Sequence, residues 1–568
     1  MKVSELEQII KSLKTVIEEQ AAKIAGLENL VKIQQEQILT MRRKQFGSSS
    51  EQTPGQLLID SLFNEAEDQA DASLPEPAIE QITYERKKPV GKRKEDLKDL
   101  PVERVSYELS EEERICQKCN EVMEDIGATV RDFLKIIPAQ VIHVQEKIHA
   151  YACKNGCEDE NNKEIIARAE APAPLIVNSL ATPSAVAHIA VQKYVNGVPL
   201  YRIEKGLSYD GVTLSRQVMA NWIIYCSQNY LVGLYMLLTA HLLRQDICHA
   251  DETTTQVLKE PGRDATTKSH EWVYRSGRCS PHPVVIYNYQ ETREHRHPKE
   301  FLKGFSGYLH TDGYEAYHNL PPGIIVVGCH AHARRYWFDA YEAVAKDKRD
   351  GSIAERGLVY FNLLFAFEDE FRDSTPDERY KKRLEYSKPL LEDYYNWITS
   401  LSALPKSLLG KAIHYSLSQR EYLENFFLDG RLEISNNAAE RSVRPYVSGR
   451  KQWLFSDTPA GAESSSVFYS IIETAKENSL NPFEYVKYLL EKLPSAKSSE
   501  LDSFLPWSDS LPDKCRTPHK TPNSNGKRKK HHYNSTGSLH RALYQLRKKY
   551  CDNSNQQPES IDGIGVHD

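Results

Sequence analysis

The stretch Gln245-Asp-Ile-Cys-His-Ala-Asp-Glu-Thr-Thr254 decides the fold, because a short β run leads there into adjacent carboxylates. From residue 243 onward the sequence contains a series of such runs, each bounded by turn residues. The predicted strands are Gln245–His249, Glu271–Arg275, Val284–Tyr289, Gly307–Thr311 and Ile324–Gly328. Residues 334–430 then become helical and charge-rich, and residues 436–494 contain further helices. This order of elements is typical of a mixed α/β protein.

Three carboxylates stand out by their placement. Asp251 ends the first predicted strand, Asp312 ends the fourth, and Glu440 lies early in a helix. The strand ends can sit side by side if their strands are neighbours, and Mg²⁺ prefers such hard oxygen ligands. Two ions about 3.5–4 Å apart can hold the attacking and leaving oxygens of a phosphoryl displacement. The alternatives are an Asp-Gly turn at 312, a solvent-exposed strand end at 251 and a capping box closed by Glu440.

Cationic side chains follow Glu440 closely and suit a phosphate-backbone substrate. They are Arg441, Arg444, Arg450 and Lys451. The alternative is a solvated helix face. A second basic patch runs from His330 to Arg335, and it offers either a metal site or a DNA contact. We favour phosphate contact by Arg334 and Arg335, because no carboxylate is paired with this patch locally.

Residues 101–170 form a small unit around two cysteine pairs. Strand-like runs, including Val141–Val144 and Ile148–Ala152, lie between the pairs. Four thiolates from two short knuckles suit a tetrahedral zinc ion, which can fold a unit that lacks its own core. The predicted ligands are Cys116, Cys119, Cys153 and Cys157, the second pair having three intervening residues. The alternative is four reduced thiols, and His143 and His149 are substitute ligands.

Three predicted helices follow, Ser184–Tyr194, Pro199–Leu207 and Thr213–Cys226. The last two are joined across a tight turn that contains Gly211, which favours a helix-turn-helix. Arg216 and Gln217 at the start of the third helix would then reach DNA. A plain helical bundle fits the pattern equally well.

The N-terminal residues 3–41 keep a strict heptad. Its a positions are Val3, Ile10, Ile17, Ile24, Val31 and Ile38, and its d positions are Leu6, Leu13, Gln20, Leu27, Gln34 and Met41. β-Branched residues at a with Leu at d favour a parallel two-stranded coiled coil. The alternative is an amphipathic helix on the chain's own core.

Composition excludes several protein classes. The 568 residues are 40% hydrophobic and 27% charged, with a net charge of −6, as in an ordinary soluble protein. The apolar runs are too short to predict a membrane span, and the charged N-terminus predicts no secretory signal. Ten cysteines without export are expected to stay reduced. Residues 511–552 nevertheless carry eleven Lys/Arg against two Asp, so this tail is either a disordered segment or a DNA-binding arm.

Several phrases, taken in order, resemble the transposases of the bacterial Insertion Sequence 66 family. They are Arg43-Lys-Gln-Phe-Gly47, the cysteine unit, Tyr194-Val-Asn-Gly-Val-Pro-Leu-Tyr201, Ala250-Asp-Glu-Thr253, Thr311-Asp-Gly-Tyr314, Gly328-Cys-His-Ala-His-Ala-Arg-Arg335, Asn436-Asn-Ala-Ala-Glu-Arg441, Gly449-Arg-Lys-Gln-Trp-Leu-Phe455 and Leu505-Pro-Trp507. The resemblance covers about residues 1–507. It implies a multidomain α+β protein whose RNase H-like core carries a DDE triad at Asp251, Asp312 and Glu440.

The sequence patterns and the resemblance together predict a division of the chain. The expected parts are a coiled coil (1–46), a linker (47–100), a zinc-binding unit (101–170), a helix-turn-helix region (171–240), the first part of the core (241–338), a helical insertion (339–430), the second part of the core (431–495) and a basic, disordered tail (496–568).

The implied function is DNA transposition in the bacterial cytoplasm, away from any membrane. Cleavage at an element end would free a 3′-hydroxyl that attacks target DNA, with Mg²⁺ or Mn²⁺ at the triad and a structural Zn²⁺. The expected partners are the terminal inverted repeats, the target DNA, a second copy through the coiled coil and companion proteins from the same element. The alternatives are a non-catalytic DNA-binding regulator with a degenerate core and a nuclease of the same fold.

Overall fold

A computed structural model describes residues 140–152, 166–168 and 172–517, together with most residues between 14 and 38. The chain divides into two compact units, one containing residues 173–517 and the other residues 61–172. The predicted linker, the four predicted zinc ligands and residues 518–568 of the predicted tail lie outside the described residues. Residues 496–517 were expected to belong to a disordered tail, but they contain a 3₁₀ helix at Ser498–Phe504 and the buried side chains of Leu505, Leu511 and Cys515.

In the 61–172 unit, strand β1 (Ala150–Ala152) pairs antiparallel with β2 (Ile166–Arg168). Tyr151 lies opposite Ala167 in this pair. Residues 141–144 were expected to form a strand, but they are exposed and have no regular secondary structure. No strand among the described residues pairs with this run, and a strand needs such a partner to satisfy its backbone hydrogen bonds.

The described N-terminal residues are helical, and their heptad side chains face solvent. Ile17, Ile24, Leu27, Val31 and Ile38 are all exposed. The structure therefore does not support the alternative in which this face packs on the chain's own core. The coiled coil stays a prediction.

Within the described residues 172–246, four helical segments precede the main sheet. They are α1 (Pro183–Tyr194), α2 (Leu200–Tyr209), α3 (Arg216–Cys226) and α4 (Val232–Leu243), with a π-helical turn at Ser227–Leu231. Thr182 and Ser215 cap α1 and α3 by accepting backbone N–H groups in the first turn. All three predicted helices are thus present, and the third continues into α4.

The helix Arg216–Leu243 is long and apolar enough to cross a bilayer, judged by length and composition alone. Its residues Trp222, Leu234, Leu238 and Leu242 are instead buried in the main hydrophobic core. Val218, Val232 and Met236 are exposed, so packing in this core accounts for only part of the apolar character of the helix.

The central element is a five-stranded mixed sheet in the order β5-β4-β3-β6-β7. Its strands are β3 (Ile247–Gln256), β4 (Lys268–Ser276), β5 (Val285–Gln290), β6 (Gly307–His310) and β7 (Ile324–Val327). β3, β4 and β5 are antiparallel neighbours, whereas β6 and β7 run parallel to β3. All five predicted strands are present. Short helix α5 (Arg296–Phe301) lies between β5 and β6.

The first strand is longer than predicted. Asp251 does not end it, because β3 continues to Gln256 and pairs with β4 along its whole length. Thr253, Thr254 and Thr255 extend the strand, as β-branched residues favour a pleated surface. Asp251 therefore occupies a fixed position opposite Val273 in the middle of the sheet.

The helices beyond β7 form a second hydrophobic core before the chain returns to the sheet. They are α6 (His330–Ala343), α7 (Ile353–Glu370), α8 (Pro376–Lys382), α9 (Lys388–Thr399), α10 (Leu408–Ser418) and α11 (Arg420–Glu424), with a π-helical turn at Arg383–Ser387. Trp337, Tyr360, Tyr394 and Trp397 pack against one another in its centre.

The chain then forms α12 (Asn437–Trp453), α13 (Pro459–Glu477) and α14 (Pro482–Lys492). Helix α13 covers the open edge of β5. The Thr474 and Ser470 hydroxyls, one helical turn apart, accept the backbone N–H groups of Val285 and Tyr287 at 3.0 and 2.8 Å. The edge strand is thereby satisfied by a helix rather than left open to another chain.

Candidate active site

Helix α12 lies along one face of β3. At its start, the Asn436 amide donates to the carbonyl of Ala250 at 2.8 Å, and its oxygen lies 3.0 Å from Nδ1 of His249. Further along, the Tyr446 hydroxyl donates to the Thr255 hydroxyl at 2.8 Å, and Arg450 donates to the Thr253 hydroxyl at 3.4 Å. Because alternate residues of a strand share a face, Asp251 lies on the face that α12 covers.

Asp312 lies beside Asp251 because their strands are parallel neighbours. His249 is in register with His310, and the two rings stack at 4.3 Å between centroids. Asp251 and Asp312 each follow two residues later. The backbone N–H of Tyr314 donates to Oδ1 of Asp312 at 2.9 Å, and the Tyr415 hydroxyl donates to the Asp312 carbonyl at 2.8 Å.

Gly313 makes this turn possible. Its φ of +88° lies in the left-handed region, and an added Cβ would stand 2.9 Å from the Tyr415 hydroxyl. The Asp-Gly pair is therefore a turn, as one alternative proposed, and that turn also orients the Asp312 carboxylate.

Glu440 occupies the first turn of α12 but does not cap it. The N-cap residue is Asn436, and its side chain makes no capping hydrogen bond because it binds β3 instead. The capping-box alternative is therefore wrong. Oε1 of Glu440 is buried and has no hydrogen-bond partner.

The carboxylates act on one another electrostatically. Burial raises the pKa of Asp251 well above its usual value, and the charges of Glu252, Asp312 and Glu440 raise it further. A hydrogen bond from the Glu252 N–H at 2.8 Å opposes that rise in pKa. The structure thus brings the three predicted triad residues into one electrostatic cluster.

Glu252 is a fourth acidic neighbour that the sequence reasoning missed. Its buried side chain forms an ion pair with Arg293 and accepts a hydrogen bond from the Tyr317 hydroxyl at 2.7 Å. The Arg293 guanidinium also lies 3.6 Å from the ring centroid of Tyr314. Burial, and then the charge of Asp312, raise the pKa of Glu252, whereas Arg293 lowers it. These contacts connect β3 to the loop that follows Asp312. The sequence signal that could have identified Glu252 is its position directly after Asp251.

A second group of metal-ligating side chains meets Glu440. Cys329, His332 and Glu440 have ligand atoms within 4.8 Å of one another, a set that could hold a metal ion. Nδ1 of His332 is 3.8 Å from Oε1 of Glu440, and the backbone N–H of Asn436 donates to Sγ of Cys329 at 3.2 Å. Burial opposes protonation of His332, but Cys329 and Glu440 outweigh it and raise its pKa to about 9.

The side chains of the basic patch at 330–335 have different surroundings in the structure. His330 is buried against Phe426, and burial lowers its pKa to about 3. His332 faces a carboxylate from a distant segment, so the absence of a local carboxylate was a poor guide. Arg334 donates to Asn362 at 2.8 Å, and it and Arg335 are half-buried.

The other predicted DNA-binding residues lie on two separate helices. Arg216 and Gln217 are exposed at the start of α3. On α12, Arg441 and Lys451 are exposed, whereas Arg444 and Arg450 are half-buried. The structure does not bring Arg216 and Gln217 into the carboxylate cluster by any contact that it records among the described residues.

Comparison with known families gives three matches along the chain. The Transposase IS66 family model matches residues 178–464, and the IS66 C-terminal element matches residues 470–507. The model described as Transposase C of IS166 homeodomain matches residues 34–105, which include the segment interpreted above as a linker.

Similar proteins are found in Sinorhizobium fredii (strain NBRC 101917 / NGR234). The uncharacterised protein y4qI is 32% identical over 408 residues, which are 67% of this chain and 71% of that protein. The uncharacterised protein y4hP is 27% identical over 498 residues, which are 82% of this chain and 87% of that protein.

Proposed function

Because the chain belongs to the IS66 transposase family, we propose that it cleaves and joins DNA strands at a divalent-cation site formed by Asp251, Asp312 and Glu440. One observation carries the proposal. Asp251 is half-buried on the face of β3 that α12 covers, and its pKa is raised by desolvation and by the charges of Glu252, Asp312 and Glu440. Carboxylates that repel one another and have perturbed pKa values are a feature of catalytic sites.

The sheet supports this assignment. Three antiparallel strands followed by two parallel strands, in the order β5-β4-β3-β6-β7, fit the RNase H-like core that the sequence resemblance implies. In such an arrangement the first and fourth strands are neighbours, which sets the two aspartates side by side. Helix α12 then supplies the third carboxylate across the sheet face.

The donor set fits hard divalent cations. Carboxylate oxygens are the ligands that Mg²⁺ and Mn²⁺ prefer. The raised pKa of Asp251 shows that its anion is disfavoured here, and a cation nearby reverses that preference. When bound, a pair of such cations would supply water activation and stabilise the departing oxygen.

The protein's own part is to position groups and to neutralise the substrate. Asp251 is held by its pairing with Val273 of β4, Asp312 by the Tyr314 N–H, and Glu440 by the attachment of α12 to β3. The cationic residues of α12 that follow Glu440 bind phosphates of the DNA backbone and fix its register. Positioning of this kind accounts for most of the catalysis in phosphoryl transfer.

DNA binding outside the site is assigned to α2 and α3. The turn between them contains Gly211 with φ of +78°, and Arg216 and Gln217 are exposed at the first turn of α3. This fits a helix-turn-helix whose second helix enters the major groove. The homeodomain-like match at residues 34–105 supports a further DNA-binding element.

The exposed heptad face supports self-association. Ile17, Ile24 and Val31 occupy consecutive a positions on helical residues and are all exposed. Pairing two such faces would bury them and bring two element ends together. Ile24→Lys is expected to turn a dimer into a monomer in sedimentation experiments, and Asn29→Lys, at an exposed f position on the outer side of the helix, is the matched control.

Cleavage of DNA that carries an end of the encoding element tests the triad. In Mg²⁺ or Mn²⁺, Asp251→Asn, Asp312→Asn and Glu440→Gln are each expected to lose strand cleavage while binding to the end DNA is retained. Glu315→Gln is the matched control, because Glu315 is an exposed carboxylate three residues from Asp312. Cleavage retained by any triad variant would refute the assignment, and cleavage without joining would indicate a nuclease.

A further inference from the structure

The segment immediately after α12 has an unusual backbone. Leu454 has φ of +68° and ψ of −49°, and the N–H of Phe455 donates to the carbonyl of Trp453 at 2.9 Å. This is a γ-turn with a positive central φ, a rare and strained conformation for an L-residue. A leucine persists there only because the surrounding structure holds it.

Trp453 anchors the turn on its helical side. Its ring folds back over Gly449, where a Cβ would stand 2.0 Å from the indole. The Lys193 ammonium lies 3.9 Å from the centroid of that ring, and Tyr194 packs against its edge. Glycine at 449 is thus required for the indole to lie against the helix.

The other side of the turn is anchored to the sheet. The N–H of Ser456 donates to the Gln256 carbonyl at 2.9 Å, and the N–H of Leu258 donates to the Ser456 carbonyl at 3.0 Å. The chain therefore leaves the turn as a short parallel extension beside the end of β3. With both sides fixed, the two residues between them are held at the surface.

The side chains at this position are large and apolar. Leu454 is 63% exposed and Phe455 is 44% exposed. Neighbouring cations are Arg450, which donates to Thr254, and the exposed Lys451. A rigid apolar pair beside cationic side chains matches the chemistry of DNA, whose charged backbone surrounds apolar base faces.

Helix α12 sets the distance of this pair from the carboxylates. Fourteen residues separate Glu440 from Leu454, which is about 21 Å at 1.5 Å per helical residue. Duplex DNA rises about 3.4 Å per base pair. DNA that presents a phosphate to Glu440 and follows α12 therefore passes Leu454 about six base pairs away.

We propose that Leu454 and Phe455 form a nucleobase-binding site that inserts against an unstacked base of the bound element end, about six base pairs from the cleaved phosphate. This inference rests on the proposed function, because it takes the carboxylate cluster as the point of cleavage. Inserting an apolar side chain costs the stacking energy of one base step. The contacts that the DNA gains by following more of the protein surface offset that cost. The anchors at Trp453 and Ser456 keep the two side chains exposed when no DNA is present.

The test uses full-length protein carrying Asp251→Asn, so that DNA is bound without being cleaved. The probe is a duplex of the element end in which 2-aminopurine, whose fluorescence rises when it unstacks, replaces one base at a time over the first ten positions. Protein with Leu454 and Phe455 intact is expected to raise the fluorescence severalfold at one or two positions near the sixth.

Leu454→Asn and Phe455→Ser should each abolish most of that rise, and asparagine also tolerates the positive φ at 454. Leu428→Asn is the matched control, since Leu428 is a leucine that is 50% exposed in the second core region. Circular dichroism and melting temperature of each variant establish that it is folded.

No fluorescence rise at any of the ten positions would overturn the inference, as would an equal rise in the Leu454 and Phe455 variants. Variants that lose self-association while keeping the fluorescence rise would assign the apolar pair to a second copy of the chain, and this also overturns it. These readouts are independent of the triad: failure of the triad appears as cleavage by the Asp251→Asn protein itself.

Discussion

Replacing Asn436 by alanine should loosen the helix that carries Glu440 while leaving the carboxylates unchanged. Asn436 is buried, and its amide makes two contacts to β3, a 2.8 Å hydrogen bond to the Ala250 carbonyl and a 3.0 Å contact with Nδ1 of His249. A buried hydrogen bond contributes about 0.5–1.5 kcal/mol, and a partner left unsatisfied costs about 1–3 kcal/mol. At about 1–2 kcal/mol for each of the two partners left unsatisfied, the substitution predicts a loss of about 2–4 kcal/mol.

The size of the protein converts this loss into a measurable shift. The entropy of unfolding is about 2.1 cal/mol/K per residue. Over the roughly 345 residues of 173–517, a loss of about 2–4 kcal/mol lowers the melting temperature by about 3–6 °C. Differential scanning calorimetry measures that shift, and single-turnover cleavage of end DNA measures the displacement of Glu440. Cleavage should fall at least tenfold at a temperature where the variant is still folded.

Asn437→Ala is the matched control. Asn437 is the adjacent asparagine, half-buried, and no contact to β3 is recorded for its side chain. It should melt within about 1 °C of the unmodified protein and cleave normally. If the two alanine variants melt together, or if Asn436→Ala cleaves normally, α12 does not depend on this amide and the reasoning fails.

Three further predictions concern other parts of the molecule. Glu271 is fully buried, and burial raises the pKa of its carboxyl to about 8; the folded state therefore holds an extra proton between about pH 4.5 and pH 8, and stability falls as pH rises through that window. The free energy of unfolding of Glu271→Gln should equal that of the unmodified protein near pH 4 and exceed it increasingly toward pH 8, by on the order of 1.4 kcal/mol per pH unit at most. A constant difference in melting temperature between the two proteins across this window would contradict the prediction. His332→Ala should slow cleavage at least tenfold without weakening end-DNA binding, because the imidazole stands 3.8 Å from Glu440, whereas loss of binding measured by fluorescence anisotropy would assign His332 to DNA contact. Cys116→Ser should release one equivalent of zinc per chain, as measured by mass spectrometry of metal content, and unchanged zinc would exclude this cysteine as a ligand.

The strands were predictable from sequence because they are short, bounded by turns and rich in β-branched or aromatic residues. The end of the first strand was not predictable. The polar residues Thr253–Thr255 give no apolar signal, and they become part of the strand only by pairing with β4. The resemblance to the IS66 family, confirmed by the family match, also gave the positions of the candidate triad before any geometry was known. The roles of those residues remain predictions.

The residues that contact the triad could not be predicted from sequence because they come from distant segments of the chain. Arg293 contacts Glu252 across 41 residues, and His332 meets Glu440 across 108. The alternative of a capping box closed by Glu440 was wrong, and the sequence could not show this. A side chain that caps a helix and one that binds a neighbouring strand look alike in sequence. Only the fold shows that Asn436 binds β3.

The helical region between β7 and α12 has a role in positioning Glu440 that the sequence did not reveal. Sequence described it as an interruption, yet its buried Arg383 donates to the carbonyls of Phe426, Asp429 and Leu432 at 3.1, 3.1 and 2.7 Å. Those carbonyls belong to the segment that leads directly to Glu433 and Asn436, which bind the stacked histidines of the sheet. The guanidinium is neutralised by Glu368, so one buried ion pair connects the second core to the path of the chain into α12. The insertion therefore contributes to where Glu440 stands, and a buried ion pair that loses one partner is costly enough for that contribution to matter.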